Sequence, residues 1–462
     1  MGAEGLEHLF HPRSIALIGA STKPGRIGHE ILRNLVASYK GPIYPINPKA
    51  DEILGLKAYK DIRDVPGNPE LVVFAISSSQ IPDAFEASIH KGMKAAVIVS
   101  GGFKEIGEEG RKREERVRRL AKEHGVRVIG PNCVGLLVPE SGVDTFFQSQ
   151  ERMDRPGKGP ISIISQSGTY AVSLTEWAAE YGIGVSKVVS YGNRVDVDEA
   201  DLIEYFSNDP DTEVVLMYVE GLENGRKFLE TLKKVSAKKP IVVYKGGKRG
   251  GAKAAVSHTG WLAGDYEVFH AAMKQGGAIE VGSIYGLIDA AKALVRYKGY
   301  RVGRGVMGVT NGAGPVVVAY DLLEDFGLYS AELSQGTRER LVEILPPICQ
   351  ATNLVDLTGS ADSSFFESAL KVLVEADEVG IILAVLVLQD TPLDEGIVDV
   401  LARYKEKKPI LVSASGGSYT RRLCNLIEER GVPVYDTIER AVEAASALAR
   451  YSEVVEKHRE GC

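Results

Sequence analysis

The chain has 462 residues, which is too long for one ordinary hydrophobic core, so two or three domains are expected. Its 55 basic and 62 acidic residues give a formal net charge of −7. Because nucleic-acid-binding domains are usually basic, and anionic membranes attract basic surfaces, the charge argues against both kinds of partner. Four scattered cysteines without a C-x-x-C pair, no bilayer-length apolar run and no apolar leader predict a cytoplasmic protein.

The first third of the sequence alternates apolar strands with amphipathic helices. "SIALIGAS" predicts a strand that ends at Gly19, "HEILRNLVAS" predicts a helix, and "PIYPINP", "LVVFAIS" and "AAVIVSGG" predict three more strands. Strands that alternate with helices indicate a parallel sheet with helices on both faces. "VRVIGPNCVGL" closes this unit, to which we assign residues 1–142.

Two later segments share one pattern. "GPISIISQSGTYAV" and "GVMGVTNGAGPVVV" each contain an apolar strand, a turn of small residues and a helix. The turns end at Gly168 and Gly314, which are 146 positions apart, and a Gly–basic–Gly triplet precedes each strand at the same offset. The repeat predicts one α/β domain used twice, over residues 143–299 and 300–462; the alternative is a coincidence of generic α/β patterning.

The turn "GASTKPGRIGHEI" has the strand–glycine–helix layout of a dinucleotide site, in which helix N–H groups receive phosphate. A dehydrogenase usually carries an acidic residue at the end of the second strand, to hold a ribose diol. Here that strand is followed by Asn47 and Lys49. A lysine suits an additional phosphate, which favours coenzyme A over NAD. NADP, or a nucleotide-type fold without a ligand, stays as the alternative.

The stretch "AAVSHTGWLAG" places His258 alone among small residues. The eight histidines show no metal-ligand spacing, so no metal site is predicted. A lone imidazole near neutrality can act as a nucleophile if a partner fixes its tautomer. Glu220, directly after the apolar run "VVLMYV", is a candidate partner. The alternatives are a structural histidine, and a surface or helix-capping acid.

The glycine turns at Gly168 and Gly314 follow strands and begin helices. Free N–H groups and the helix dipole make such ends anion sites, and two matching turns indicate a shared phosphate. Ordinary loop chemistry is the alternative for either turn alone.

Through these motifs the chain resembles the NDP-forming acyl-CoA synthetases, in particular the α subunits of ADP-forming acetyl-CoA synthetases. It resembles the α subunits of succinyl-CoA synthetases more distantly. The similarity covers nearly the whole chain in ordered blocks: "GASTKPGRIG", "YPINPK", "SGGFKEIGEEG", "GPNCVGL", "SQSGT", "SYGNRVDVDEADLIEYFSNDP", "YVEGLENGRKF", "SHTGWLAG", "TNGAGP" and "NLVDLTGSA". It implies a Rossmann-like CoA-binding domain followed by two flavodoxin-like domains with doubly wound parallel sheets.

The resemblance also implies site residues. His258 is the phosphorylated histidine on a mobile loop, and Glu220 supports it. The phosphate-binding positions are Ser167, Gly168, Thr169, Asn311, Gly312, Ala313 and Gly314. Contacts to coenzyme A are expected at Gly19, Ala20, Ser21, Thr22, Asn47, Lys49, Ser100, Gly101 and Gly102.

The resemblance implies a partner as well. Family members need an ATP-grasp module to meet ADP, and no such module is expected here after the third α/β unit. A separate ATP-grasp β subunit carrying ADP or ATP with Mg²⁺, in an α2β2 heterotetramer, is therefore expected. The substrates are a small carboxylic acid or its CoA thioester; acetate is the family default, with branched, aryl and hydroxy acids as alternatives. The rival functions are a CoA-binding regulatory subunit without turnover and a nicotinamide-dependent oxidoreductase.

Overall fold

The computed structural model describes residues 2–248 and 265–460. The chain forms two compact units, Met1–Glu280 and Val281–Cys462. Strands and helices alternate in both units and the main sheets are largely parallel, which confirms the predicted α/β fold class. Within the described ranges, no helix combines the length and the apolar character that crossing a bilayer requires.

The first unit begins with a five-stranded parallel sheet in the order β2-β1-β5-β6-β7. A hairpin, β3–β4, lies between β2 and β5 in sequence. The strands are β1 Ile15–Ile18, β2 Ile43–Ile46, β3 Glu52–Ile53, β4 Leu56–Lys57, β5 Leu71–Phe74, β6 Ala95–Ile98 and β7 Arg127–Ile129. The helices are Glu7–Phe10, Ile27–Ser38, Ile81–His90 and Glu108–His124, with short 3₁₀ turns at Ile62–Asp64 and Lys104–Ile106.

In this sheet β1 is paired with both β2 and β5, and the chain then continues outward on the β5 side. Such a reversal of strand order opens a crevice at the carboxyl ends of the strands, where ligands bind in doubly wound folds. Gly19 ends β1 with φ +97°, a left-handed conformation that favours glycine. The first sheet therefore presents its glycine turn at the crevice.

A second sheet in the same unit has the order β14-β13-β12-β10-β11-β8-β9. Strands β10 to β14 are parallel, and β8 joins β11 in an antiparallel pair, so the second sheet begins at Gly135. The strands are β8 Gly135–Val138, β9 Val143–Asp144, β10 Lys158–Ser165, β11 Val185–Ser190, β12 Val214–Val219, β13 Ile241–Lys245 and β14 Ile279–Glu280. The helices are Gly168–Glu180, Glu199–Asn208, Gly225–Val235 and Tyr266–Gly276.

The two sheets of the first unit share one hydrophobic core. Leu17 and Val97 of the first sheet belong to the same buried cluster as Ile164 and Val215 of the second. Apolar burial of this kind stabilises a fold by roughly 25 cal/mol per Å² removed from water. The first unit is thus held together by residues from both sheets.

The second unit contains one sheet in the order β17-β18-β15-β19-β20-β21, with β16 also paired to β15. All its pairs are parallel except β17–β18. The strands are β15 Gly305–Thr310, β16 Tyr329–Ser330, β17 Gln350–Ala351, β18 Val355–Asp356, β19 Ile381–Val385, β20 Ile410–Ser413 and β21 Val434–Tyr435. The helices are Ile284–Tyr297, Gly314–Leu323, Gln335–Ile344, Ser363–Leu373, Ile397–Tyr404, Ser418–Glu429 and Ile438–Glu460.

The repeat seen in the sequence has a structural counterpart. Helices begin at Gly168 and Gly314, after β10 and β15. The hydroxyl that ends each strand donates to the carbonyl two residues later: Ser165 Oγ to Ser167 at 2.6 Å, and Thr310 Oγ1 to Gly312 at 2.8 Å. These matching hydroxyls are 145 positions apart, whereas Gly168 and Gly314 are 146 positions apart. The turn before Gly314 is therefore one residue longer than the turn before Gly168.

Candidate functional site

Two of the segments predicted to contact coenzyme A are joined by Asn47. Its Nδ2 donates to the carbonyl of Ala20 at 2.7 Å, while its Oδ1 accepts from the backbone N–H of Lys49 at 2.8 Å. His29 Nδ1 donates to the carbonyl of Ser21 at 2.8 Å. Residues 19–22 and 47–49 therefore lie together at the carboxyl edge of β1 and β2.

The helix that follows the glycine turn is pressed closely against it. A Cβ on Gly28, the second residue of helix Ile27–Ser38, would lie 1.9 Å from the carbonyl oxygen of Gly19. Only glycine fits this approach without a backbone shift. Lys49 is exposed beside the turn. This arrangement fits a phosphate-bearing ligand, because helix N–H groups and a cation both lie at the same edge.

The third predicted segment, Ser100–Gly102, follows β6 at the same edge of the sheet. Ser100 Oγ donates to the carbonyl of Ile76 at 2.6 Å, and the carbonyl of Ser100 accepts from Asn132 N at 3.0 Å. Gly102 has φ +99°. The contact with Asn132 connects this segment to the cleft at the start of helix Gly168–Glu180, which Asn132 lines.

A cleft of about 470 Å³ opens in the first unit at the start of helix Gly168–Glu180. It brings the predicted residues Ser167, Gly168 and Thr169 together with the predicted Glu220, which lies 51 positions further along the chain than Thr169. Ser167 caps the helix, with its Oγ accepting from Tyr170 N at 3.5 Å. The predicted turn and the predicted acid thus face one cavity.

The cleft also contains residues that the sequence reasoning did not assign, namely Gln166, Asn132, Gln148 and Asn193. Gln166, Asn132 and Asn193 lie inside the motifs "SQSGT", "GPNCVGL" and "SYGNR", so their motifs were recognised but their polar side chains were not singled out. Asn132 has φ +59°, a conformation that is uncommon for non-glycine residues and concentrates at functional sites. For Gln148 we find no comparable signal in the sequence.

Glu220 is held in place on several sides. Tyr218 Oη donates to its Oε1 at 3.1 Å, and Lys245 Nζ donates to its backbone carbonyl at 2.6 Å. Burial, and then the Glu220 carboxylate, raise the pKa of Tyr218, so the phenol keeps the proton it donates. Glu220 Oε2 is buried and accepts no hydrogen bond from the described residues. One carboxylate oxygen is therefore left for an incoming donor.

Lys245 adds a second charge beside Glu220. Burial lowers the pKa of Lys245, and the neighbouring Glu220 carboxylate acts in the opposite direction. His258 lies outside the described residues, and its contact with Glu220 stays a prediction.

The Glu280 carboxylate contacts residues on both sides of the stretch 249–264. Lys248 Nζ lies 3.2 Å from Glu280 Oε1, and Tyr266 Oη donates to the same oxygen at 2.7 Å. His270 Nδ1 lies 2.7 Å from Oε2. Burial opposes ionisation of this carboxyl, but the hydrogen bonds from His270 and Tyr266 lower the pKa of Glu280. The two borders of the stretch that contains His258 are thus fixed at one carboxylate.

The second predicted phosphate turn, Asn311, Gly312, Ala313 and Gly314, lies in the other compact unit. Gly312 N donates to Thr310 Oγ1 at 2.9 Å, and Gly314 is exposed at the start of its helix. Gly314 also lines a cleft of about 630 Å³ at the carboxyl ends of β19 and β20. The convergence of both turns on one phosphate stays a prediction.

Comparison with known protein families agrees with this geometry. Residues 13–139 match the model described as CoA binding domain, and residues 158–294 match the succinyl-CoA ligase like flavodoxin domain. These two ranges contain the glycine turn at Gly19 and the cleft residues Ser167 and Glu220, respectively.

Several characterised relatives are similar over nearly all of this chain. It is 39% identical to the ADP-forming acetate–CoA ligase I subunit α of Pyrococcus furiosus, covering 98% of this chain and 99% of that protein. It is 38% identical to the ADP-forming acetate–CoA ligase I of Archaeoglobus fulgidus, over 98% of this chain but 65% of that protein. The chain therefore spans somewhat less than two thirds of the length of some relatives and the full length of others.

A solved structure shares the fold over the same extent. The dinucleotide-forming acetyl-coenzyme A synthetase 1 of Ca. Korarchaeum cryptofilum, in complex with phosphate and ADP, superposes with a TM-score of 0.89 at 33% identity and covers 98% of each chain. A crystal structure from Pyrococcus horikoshii OT3 gives a TM-score of 0.85 at 32% identity. With its matching CoA-binding and flavodoxin-like domains, the chain belongs to the family of ADP-forming acetate–CoA ligases.

Proposed function

We propose that this chain is the α subunit of an ADP-forming acyl-CoA synthetase, which converts acyl-CoA, ADP and phosphate into carboxylic acid, ATP and CoA, and the reverse. The observation that carries the proposal is the cleft that joins the helix start at Ser167–Thr169 with Glu220. A helix start binds an anion, and a carboxylate beside it can orient an imidazole. Family membership supplies the reaction class.

In the first step an oxygen of inorganic phosphate forms a bond to the thioester carbonyl carbon. The C–S bond breaks, CoA leaves as the thiolate and takes up a proton, and acyl phosphate remains. Negative charge builds up on the carbonyl oxygen in between. The helix start at Gly168 would stabilise that charge, and losing one such donor typically costs about 3–4 kcal/mol of barrier.

In the second step His258 attacks the phosphorus of acyl phosphate, and the carboxylate leaves. Glu220 accepts a hydrogen bond from one ring nitrogen, so the other nitrogen is unprotonated and nucleophilic. This role is supported by Glu220 Oε2, which is buried and accepts no hydrogen bond from any residue that the structure describes. The phosphoryl group then passes from His258 to ADP.

Coenzyme A would bind at the first sheet, with its pyrophosphate at the turn Gly19–Thr22 and its additional phosphate near Lys49. The close approach of Gly28 to Gly19 and the Asn47 contacts support this placement, because they fix a helix start beside an exposed lysine. Residues Ser100–Gly102 would contact the part of the ligand that reaches the cleft. The support is that the Ser100 carbonyl accepts a hydrogen bond from the backbone N–H of Asn132, which lines the cleft.

We further propose a separate ATP-grasp β subunit that carries ADP or ATP with Mg²⁺, in an α2β2 heterotetramer. Relatives of this length are named as α subunits, and a similar solved structure holds phosphate and ADP. Within this chain we propose three domains, at residues 1–142, 143–299 and 300–462. Asn311, Gly312, Ala313 and Gly314 of the third domain would hold the phosphate together with the first turn.

Phosphorylation of His258 tests the proposal. The chain and an ATP-grasp β subunit are incubated with ATP labelled at its γ-phosphate, and the protein-bound label is measured after acid and after alkali. We expect an acid-labile, alkali-stable phosphate that is absent from His258→Asn but present in His124→Asn, a histidine control at the exposed end of helix Glu108–His124. CoA binding without any label would instead favour a regulatory subunit, and NAD-dependent absorbance changes would favour an oxidoreductase.

The acyl group is tested by the same complex. Short, branched and aryl acids and hydroxy acids are compared by kcat/KM for acyl-CoA formation. We expect acetate to be accepted. A relative from Nitrosopumilus maritimus, 35% identical over 97% of this chain, is named 4-hydroxybutyrate–CoA ligase, so hydroxy acids belong in the comparison.

A further inference from the structure

Gln166 has one side of its amide fixed by the backbone. Its Oε1 accepts from Glu220 N at 2.7 Å and from Gly221 N at 3.1 Å. Because both partners are N–H donors, only the amide oxygen can lie on that side. The orientation of the Gln166 amide is therefore determined by its partners, and Nε2 lies on the opposite side.

The amide nitrogen of Gln166 has no such partner in the part of the chain that the structure describes. The residue is 5% exposed, and its Nε2 is buried without a hydrogen bond to the described residues. A buried donor left unpaired is unfavourable, because it has lost its hydrogen bonds to water without gaining another. Gln166 lines the same cleft as Gly168 and Glu220. A cleft ligand with an acceptor oxygen would remove this cost.

The second unit offers an internal comparison. Asn311 occupies the same place after β15 that Gln166 occupies after β10, and its Oδ1 likewise accepts from the backbone of a neighbouring segment, at Val387 N, 2.9 Å away. Its Nδ2, however, donates to the carbonyl of Val387 at 3.0 Å and to Asp390 Oδ2 at 3.1 Å. Within residues 2–248 and 265–460, the amide donors of Asn311 have internal acceptors and the Nε2 of Gln166 has none.

We infer that Gln166 is a substrate-contacting residue whose Nε2 donates to an oxygen of the phosphate bound at the start of helix Gly168–Glu180. The chemistry of the cleft favours an anion, since a helix start and a buried N–H donor both supply positive partial charge. The Oε1 of the same amide accepts a hydrogen bond from the backbone N–H of Glu220. Gln166 thus links the phosphate site to the backbone of the residue that carries the carboxylate. The identity of the anion rests on the proposed function.

Two substitutions distinguish the acceptor role of the Gln166 amide oxygen from the proposed donor role of its nitrogen. Gln166→Glu keeps an oxygen acceptor for Glu220 N and Gly221 N but removes the N–H donor. Gln166→Met, of similar length, removes both. Each is assayed in the complex with the β subunit for phosphate-dependent release of CoA from acetyl-CoA, and its thermal unfolding is recorded. Gln335→Glu is the matched control, because Gln335 is exposed and its Nε2 donates to Glu339 on its own helix.

For Gln166→Glu we expect the KM for inorganic phosphate to rise about ten- to a hundredfold, the range of a lost hydrogen bond to a charged group. The KM for acetyl-CoA and the unfolding temperature should stay near the wild-type values. Gln166→Met should show the same loss of phosphate affinity and a lower unfolding temperature. Lowering the pH should partly restore Gln166→Glu, because a protonated carboxyl again presents a donor.

An unchanged KM for phosphate in Gln166→Glu, with only Gln166→Met impaired, would overturn the inference and leave Gln166 as a backbone clamp. A wild-type complex that releases no CoA in the presence of phosphate would instead contradict the proposed function. The two failures are therefore distinguishable in one set of assays.

Discussion

Glu378 shows how one carboxylate fixes the start of a helix that is distant in sequence. Its Oε1 accepts from the backbone N–H of Ser334 at 2.8 Å, and Ser334 caps helix Gln335–Ile344. Burial alone would raise the pKa of this carboxyl. The N–H of Ser334 and the hydroxyls of Thr337 and Ser334 outweigh it and lower the pKa of Glu378 from 4.5 to about 2.

The sign of this shift predicts how stability depends on pH. Since the folded-state pKa lies below the unfolded-state value, the ionised carboxylate stabilises the fold above about pH 4.5, and this contribution is lost as the pH falls toward about 2. We expect Glu378→Gln to lower the unfolding temperature at pH 7, with the gap to wild type narrowing below pH 4. Glu343→Gln, on the exposed side of the same helix, should show no gap; a gap for Glu378→Gln that is independent of pH would contradict this account.

At the scale of secondary-structure elements, helix starts border both predicted ligand sites of the first unit, the Gly19 turn and the cleft at Gly168. Helix Ile27–Ser38 begins against the turn at Gly19, and helix Gly168–Glu180 begins beside Gln166 and Glu220. In the first case the contact is between two backbones, because a Cβ on Gly28 would meet the Gly19 carbonyl at 1.9 Å. Such contacts are sensitive to a single methyl group.

Gly28→Ala therefore tests the first helix start. Adding the methyl group forces the helix away from the turn, and overpacking of this kind typically costs about 1–3 kcal/mol of stability. We expect a lower unfolding temperature and weaker CoA binding, measured by calorimetric titration. Gly225→Ala is the matched control at another helix start, where an added Cβ meets nothing within 4 Å and the residue is exposed. Equal CoA affinity for both variants would show that the turn tolerates the shift.

At the scale of the whole molecule, the first unit is one compact body built from two sheets that share a buried core. Arg127, 2% exposed on β7, pairs with Asp196 at 2.9 Å and Asp201 at 3.0 Å, both beyond the first sheet. Asn34 Nδ2 donates to the carbonyl of Phe146 at 2.7 Å. The buried side chains of Arg127 and Asn34, on β7 and on helix Ile27–Ser38, therefore find polar partners in residues that follow the first sheet in sequence.

This arrangement predicts how fragments behave. A fragment of residues 1–142 would lose both carboxylate partners of Arg127 and part of the shared apolar core. Breaking a buried ion pair on one side costs about 3–5 kcal/mol, a large share of typical domain stability. We expect this fragment to unfold without a cooperative transition, while residues 1–280 unfold cooperatively, as followed by circular dichroism during heating. A sharp transition in the shorter fragment would show that the first sheet is self-sufficient.

The sequence by itself determined the α/β class, the order of strands and helices, the glycine turns and the family. These follow from local properties: residue periodicity, turn chemistry and short motifs such as "SQSGT" and "YVEGLENG". The same locality explains why Ser167, Gly168, Thr169 and Glu220 could be proposed one by one as site residues.

Only the tertiary structure decided how these parts meet. The contact of Gln166 with Glu220 joins residues 54 positions apart, β8 pairs with β11 rather than with the first sheet, and one core spans both sheets. No local pattern encodes such contacts, because each depends on which distant segments come together when apolar surface is buried. Gln166 lies within a recognised motif, but that its Nε2 has no partner among the described residues is a property of the folded chain.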